Sequence, residues 1–214
     1  MKIALAIDNL ESDILEDYRK IVHKYDDYVD AVKVGLETYM LHGPKALFAI
    51  SKNKTFLDLK FHDIPNTVGK AVEKADGYFI KWATVHGAND KQTLRKAVEM
   101  SGNVKLLAVT RLTSSNPDGW FGHTKDIVAK CVDCGINGFV CPVAFIEKIK
   151  SEHPNAFVCC PGIRFENSDK NDQVWTATPE DAWELGADMI VLGRAVFQSE
   201  DPLAALESVQ KYRE

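Results

Sequence analysis

Short apolar segments alternate with amphipathic segments along the chain, and this alternation restricts the possible folds more than any other feature of the sequence. Eight segments have the near-continuous apolar composition of buried strands: Ile3–Asp8, Ala31–Gly35, Thr55–Lys60, Tyr78–His86, Lys105–Thr110, Gly138–Val143, Phe157–Gly162 and Met189–Arg194. Eight others have helical spacing, and several begin with Asp, Thr or Pro: Asp13–Lys24, Pro44–Ser51, Thr67–Ala75, Asp90–Ser101, Thr124–Cys134, Phe145–Lys150, Pro179–Leu185 and Pro202–Tyr212. Parallel strands that are buried on both faces need covering helices, so the pattern predicts an α/β fold, the (β/α)8 TIM barrel.

The length of the chain fits one barrel. With 214 residues and 45% hydrophobic content, the chain can bury one large core, and we predict a single domain over residues 1–214. A doubly wound open sheet is the alternative fold. No Gly-x-Gly-x-x-Gly motif follows the first strand, so this alternative has little support.

The charge and cysteine content of the chain indicate which binding partners and which cellular compartment suit this protein. The net charge is −5 and no run of basic residues occurs, which argues against nucleic acid and anionic membranes as partners. No apolar stretch approaches the roughly 20 residues that span a bilayer, and Met1 leads straight into a strand pattern, so we expect a cytoplasmic protein. The five cysteines suit reduced thiols, and Cys131 and Cys134 alone are a weak metal signal.

The segment Phe56–Thr67 contains the strongest functional signal. Alternate side chains of a strand share a face, so Asp58 and Lys60 should point to one place while Leu57 and Leu59 point to the other face. Burying such a pair in an ordinary core is costly, which favours a strand that lines a polar cavity. An exposed edge strand with solvated charges is the alternative.

Asp63 follows the end of the same strand. Pro65 disfavours helical geometry at Ile64 and suits a first helical turn, so we place Asp63 in a strand-to-helix loop. Functional residues are common in such loops.

Other polar residues recur where the predicted strands end, which is the active-site end of a (β/α)8 barrel. They are Asp8, Lys33, Lys60, Thr110-Arg111-Leu112-Thr113 and Arg194. Each has an ordinary explanation by itself, such as a helix cap, a turn residue or a solvated charge. Their shared position predicts one site.

The last two predicted strands lead into loops suited to phosphate. Pro161-Gly162-Ile163-Arg164 and Gly193-Arg194-Ala195 combine glycines, which allow close approach of backbone N–H groups, with guanidinium groups that bind two phosphate oxygens. The long polar segment Phe165–Trp175 is either a lid that contacts the ligand through Gln173 or an ordinary surface loop.

The segment Asp58–Thr67 resembles the signature of the orotidine 5′-monophosphate decarboxylase family. Further matches are Ala6-Ile7-Asp8, Lys33-Val34-Gly35, Leu112-Thr113-Ser114, Pro161-Gly162-Ile163-Arg164, Asp172-Gln173, Ala177-Thr178-Pro179 and Val191-Leu192-Gly193-Arg194. The resemblance implies a carboxy-lyase of UMP biosynthesis that decarboxylates a nucleotide substrate without cofactor or metal, as a homodimeric barrel. The chain departs from the family pattern at Val174-Trp175 and over Ser115–His123.

The resemblance also implies roles for individual residues. Lys60 would be the proton donor and Asp58 its carboxylate neighbour, with Lys33 and Asp63 completing an alternating charge network. Asp63 and Thr67 would be shared across the dimer interface. The implied substrate contacts are Asp8, Lys33 and Thr67 near the ribose, Thr113 at the pyrimidine amide, and Arg164, Gln173, Gly193 and Arg194 around the phosphate. Asp58, Lys60, Asp63 and Ile64 would also contact the substrate.

Two other functions remain open from the residues alone. A sugar-phosphate decarboxylase or aldolase on the same barrel would use a divalent metal, for which His62 and His86 are candidate ligands. Metal beside Lys33 and Lys60 would face two cations, however. A non-catalytic barrel that binds phosphate ligands is the other alternative, since a fold does not prove catalysis.

Overall fold

The computed structural model describes residues 1–8, 14–51, 53–110, 120–165 and 176–213. Eight parallel strands close into a barrel in sequence order, because β1 pairs with both β2 and β8. The strands are β1 Lys2–Ala6, β2 Ala31–Val34, β3 Thr55–Phe61, β4 Trp82–His86, β5 Lys105–Val109, β6 Gly138–Val140, β7 Phe157–Cys160 and β8 Met189–Leu192. The predicted (β/α)8 barrel is therefore confirmed.

Helices follow the strands and cover the outside of the barrel. They are α1 Leu15–Tyr25, α2 Leu36–His42, α3 Pro65–Gly77, α4 Lys91–Glu99, α5 Trp120–Asp133, α6 Ile146–Glu152, α7 Pro179–Glu184, α8 Arg194–Phe197 and α9 Pro202–Ser208. None of the helices in the described ranges is long and apolar enough to cross a membrane.

The helix prediction after β2 was wrong. Residues Gly43–Ala49 form a 3₁₀ segment in place of the helix predicted over Pro44–Ser51, and α2 precedes it. The sequence did not reveal α2 because its apolar residues Leu36, Met40 and Leu41 are exposed, so they do not mark a buried face. The strand predicted over Tyr78–His86 begins only at Trp82.

The core has two layers. The larger cluster joins one face of the strands to the helices, with Tyr18 and Val22 of α1 among its members. The smaller cluster contains only strand residues and therefore fills the barrel interior: Ala4, Ala31, Phe56, Trp82, Leu107, Cys159, Met189 and Val191. This apolar layer fills the middle of the barrel, so a site for a ligand has to lie beyond it, and in this fold such sites lie at the carboxyl ends of the strands.

Candidate active site

Four charged side chains form a network at the carboxyl ends of β1, β2 and β3, and we call Asp8, Lys33, Asp58 and Lys60 the charge network. Lys33 Nζ lies 2.7 Å from Asp8 Oδ2 and 3.4 Å from Asp58 Oδ2. Lys60 Nζ lies 3.0 Å from Asp58 Oδ1. Their side chains are only 13–29% exposed. The charged side chains are therefore largely buried, and the solvated edge strand is excluded.

Lys60 reaches this position through an unusual backbone conformation. The pairing of β3 with β4 shifts between Leu57 and Phe61, and Lys60 has φ +52°, which is unfavourable for a residue with a Cβ. The expectation that plain strand alternation places Lys60 beside Asp58 was therefore incomplete. The two side chains meet as predicted, but an irregular strand brings them together.

Opposite charges hold Asp58 and Lys33 in their ionised forms. Burial by itself would raise the pKa of Asp58, but the ammonium groups of Lys33 and Lys60 lower it below its usual value. Burial would likewise lower the pKa of Lys33, but the carboxylates of Asp58 and Asp8 raise it. Both groups are therefore charged at neutral pH.

We predict that Asp58→Asn lowers the free energy of unfolding by about 3 kcal/mol at pH 7, because two ammonium groups then face each other without their shared carboxylate. The folded pKa of Asp58 is depressed, so its stabilisation is present above the ordinary value of 3.8 and is lost as pH falls through the folded pKa. Urea unfolding of both proteins at neutral and acidic pH measures the difference, which should shrink in acid.

Asp133→Asn is the control for this stability measurement. Asp133 lies 2.9 Å from Lys91 in an exposed surface pair, whose removal should change stability little. Equal effects of the two substitutions would contradict a stabilising role for the charge network.

Asp8 is held by the first turn of α2, the helix that follows β2. Its Oδ1 accepts the backbone N–H of Thr38 at 3.4 Å, while the Thr38 hydroxyl donates to the carbonyl of Ile7 at 2.9 Å. A Cβ at Gly35 would collide with the Asp8 carboxylate, so only glycine allows this approach. The Lys33-Val34-Gly35 segment thus supplies both a cation and the space beside it.

Asp63 lies in the loop between β3 and α3, as predicted, and its neighbour Ile64 has extended backbone before Pro65. Its Oδ1 accepts the N–H of Ile64 at 2.7 Å, and the side chain forms no ion pair within the described part of the chain. Ile64 and Thr67 are also exposed. Within one chain, Asp63 is therefore separate from the charge network.

The two candidate histidines beside the site are engaged in hydrogen bonds. His62 Nδ1 is bonded to the side-chain oxygen of Asn89, and the Asn89 amide donates to the Phe61 carbonyl at 2.9 Å. His86 Nδ1 accepts the N–H of Ala88 at 3.1 Å. Burial, with the nearby His62 and Lys60, lowers the pKa of His86, so its ring is neutral at pH 7.

The predicted phosphate residues follow β7 and β8. Arg164 is 9% exposed and donates from Nη1 to the Ile163 carbonyl at 2.9 Å. Gly193 precedes α8, which begins at Arg194. These residues lie at the same end of the barrel as the charge network. The predicted contacts Thr113 and Gln173, and residues 166–175 of the predicted lid, lie outside the described residues.

Sequence reasoning missed two polar residues that support the site. Thr84, on β4, is completely buried and bonds to both Asp58 and Lys60. Asn89 is also buried and joins His62 to Phe61. A threonine within the apolar segment Trp82–His86 was the available signal, but its partners depend on the register with β3.

Comparisons with known proteins identify the family of the chain. The family model described as "Orotidine 5'-phosphate decarboxylase / HUMPS family" matches residues 1–209. A protein named orotidine 5′-phosphate decarboxylase from Streptococcus mutans serotype c is 37% identical over 193 residues, covering 84% of each chain. A protein of the same name from Streptococcus thermophilus is 34% identical over an alignment of 216 residues, covering 94% of each chain.

A solved structure extends the likeness to three dimensions. The crystal structure of orotidine 5′-phosphate decarboxylase from Lactobacillus acidophilus superimposes with a TM-score of 0.81 at 29% identity, covering 99% of this chain and 98% of that one. The family match spans almost the entire sequence. Asp58 and Lys60 of the charge network belong to the signature segment Asp58–Thr67, which begins near the end of β3. The chain therefore belongs to the orotidine 5′-phosphate decarboxylase / HUMPS family.

Proposed function

We propose that this protein decarboxylates orotidine 5′-monophosphate to uridine 5′-monophosphate without a cofactor, the activity for which its relatives are named. One observation carries the proposal: Lys60 and Lys33 flank Asp58 at 3.0 and 3.4 Å in a partly enclosed site. Such an arrangement offers fixed charge and a proton at one point. A binding protein has no need of so costly a cluster.

Decarboxylation at C6 requires a site with fixed positive charge. Loss of carbon dioxide from C6 leaves its bonding electron pair in the plane of the pyrimidine ring, where the π system cannot delocalise it. Fixed positive charge must therefore stabilise the carbanion. The Lys60 ammonium supplies this field and then gives one proton to C6, which yields the product.

Asp58 orients Lys60 and places negative charge near the substrate carboxylate. Binding energy from the phosphate and ribose can hold the substrate carboxylate in that unfavourable position, so remote contacts contribute to rate. We assign Asp8, Lys33 and Thr67 to the ribose, Thr113 to the pyrimidine, and Arg164, Gln173, Gly193 and Arg194 to the phosphate, with Ile64 as a further substrate contact.

We further propose a homodimer in which Asp63 and Thr67 reach the partner's site. Asp63 is exposed and apart from the charge network of its own chain. Exposed apolar side chains occur on α2 and at Ile64, which is 65% exposed, and such side chains favour a protein interface. The five buried free thiols support a reducing, cytosolic setting. We take residues 1–214 as one domain.

The metal-dependent alternative fits the residues poorly. Within residues 1–8, 14–51, 53–110, 120–165 and 176–213, no group of three or more His, Cys, Asp or Glu could hold a metal ion. Both oxygens of Asp58 are engaged by lysines, and the Nδ1 atoms of His62 and His86 are hydrogen-bonded. A divalent cation would have to displace two ammonium groups.

The direct test is to mix the purified protein with orotidine 5′-monophosphate and follow the pyrimidine absorbance, with and without a chelator. We expect turnover that the chelator leaves unchanged. Absence of turnover would overturn the proposed activity, and loss of turnover with the chelator, restored by a divalent metal, would favour the metal-dependent alternative.

We predict that Arg194→Ala lowers kcat/KM about 10- to 100-fold, because a charge-assisted contact to the phosphate is lost. Free phosphite should partly restore turnover of the phosphate-truncated nucleoside by the unsubstituted protein, and less so by the variant. Arg19→Ala, at an exposed arginine of α1, is the control. Equal activity of the unsubstituted protein on nucleotide and nucleoside would contradict a role for the phosphate.

A further inference from the structure

The irregular part of β3 is bridged to β4 by a side chain. Leu57 of β3 pairs with Ala83 of β4, and Phe61 pairs with Val85. Between these two pairs, β3 has two more residues than β4. Within it, the backbone N–H of Lys60 donates to the Thr84 hydroxyl oxygen at 2.8 Å. A side chain thus satisfies a strand N–H that the shifted register moves out of the regular ladder.

The same hydroxyl also contacts the carboxylate beside Lys60. Since it accepts from Lys60, its own hydrogen is free to donate, and Asp58 Oδ1 lies 2.9 Å away. That carboxylate oxygen also lies 3.0 Å from Lys60 Nζ. Thr84 therefore connects the backbone of Lys60 to the group that orients its ammonium.

Packing alone does not explain threonine at this position. Thr84 is completely buried between the apolar neighbours Ala83 and Val85. Valine has nearly the same shape and favours strands, whereas a buried hydroxyl is costly unless it is hydrogen-bonded. Its two bonds therefore identify what the hydroxyl does.

We propose that Thr84 is a positioning residue for decarboxylation: its hydroxyl holds the left-handed backbone of Lys60 and orients Asp58, so that the ammonium points at the reacting carbon. The inference rests on the proposed function. Thr84 acts only through Lys60 and Asp58. Its hydrogen bond also helps to keep the pKa of Asp58 low, after the larger contributions from Lys33 and Lys60.

Thr84→Val, Thr84→Ser and the unsubstituted protein provide the test. We expect Thr84→Val to lower kcat about 10- to 100-fold, with little change in affinity for the product nucleotide, and Thr84→Ser to stay within about fivefold. Thr55→Val removes a buried hydroxyl at the other end of β3 and should leave kcat unchanged. If Thr84→Val does not fold, Thr84→Ala takes its place.

Two further readouts separate positioning from general destabilisation. The acidic limb of kcat should move to higher pH in Thr84→Val, because Asp58 loses a donor, and should stay in place in Thr84→Ser. Hydrogen exchange at the Lys60 amide should accelerate in Thr84→Val. This exchange does not depend on activity, so it tests the contact even if the unsubstituted protein fails to turn over the substrate.

Several results would overturn the inference. They are unchanged kcat in Thr84→Val, a loss in Thr84→Ser as large as in Thr84→Val, an equal loss in Thr55→Val, or unchanged exchange at the Lys60 amide. Absence of activity in the unsubstituted protein would overturn the proposed function instead.

Discussion

Lys60→Ala should lower kcat by about 10⁴-fold or more, because the substitution removes both the proton donor and the positive charge beside the developing carbanion. The variant should still fold and bind the product nucleotide, since the proposed ribose and phosphate contacts come from other residues. Absorbance assays at high protein concentration measure the residual turnover, and calorimetry measures product affinity.

Lys60→Gly and Lys105→Ala are matched controls for this experiment. Glycine accepts the φ of +52° without strain, so Lys60→Gly removes the ammonium while keeping the backbone, and it should be as inactive as Lys60→Ala. Lys105 is an exposed lysine at the start of β5, at the other end of the barrel, and its loss should leave activity intact. A loss below tenfold in Lys60→Ala would remove Lys60 from the proposed role.

Mixing two inactive variants should restore activity if Asp63 completes the partner's site. Lys60→Ala and Asp63→Ala homodimers should each be badly impaired. After joint unfolding and refolding, a mixed dimer has one site with both lesions and one site with neither. Random pairing makes about half of the dimers mixed, so activity should approach roughly a quarter of that of the unsubstituted protein.

Lys60→Ala mixed with Asp58→Ala is the control for subunit complementation. Asp58 and Lys60 lie 3.0 Å apart in the same chain, so every site of this mixed dimer carries one lesion and no activity should return. Mass spectrometry of tagged subunits checks that exchange has occurred. If the first mixture then shows only the average of its two impaired components, Asp63 acts within its own chain and the shared site is wrong.

Local sequence patterns were sufficient to predict most of the fold. Strand and helix periodicity are properties of neighbouring residues, so the eightfold alternation was readable without knowing any long-range contact. The failure at α2 has the same origin, because periodicity reports burial and the apolar residues of α2 are exposed. The four-residue α8 was also not predicted, since it is too short for a periodic signal.

The site was predictable to the extent that its residues follow strand ends. The barrel brings all carboxyl ends of its strands to one rim, so the fold alone placed Asp8, Lys33 and Lys60 together. Strand alternation then suggested that Asp58 and Lys60 meet. The roles of Asp63, Thr113 and Gln173 remain predictions from the family resemblance.

The amino-acid sequence alone determined the order of the helices and strands and the identity of the charged residues, because periodicity and motif spacing are local properties. The left-handed Lys60, the space that Gly35 leaves for Asp8 and the double contact of Thr84 came only from the assembled barrel. Each depends on the register or the close approach of segments that are distant in sequence, as the separation of 24 positions between Lys60 and Thr84 illustrates. The way in which adjacent strands pair and pack decides these contacts, and no local sequence pattern encodes it.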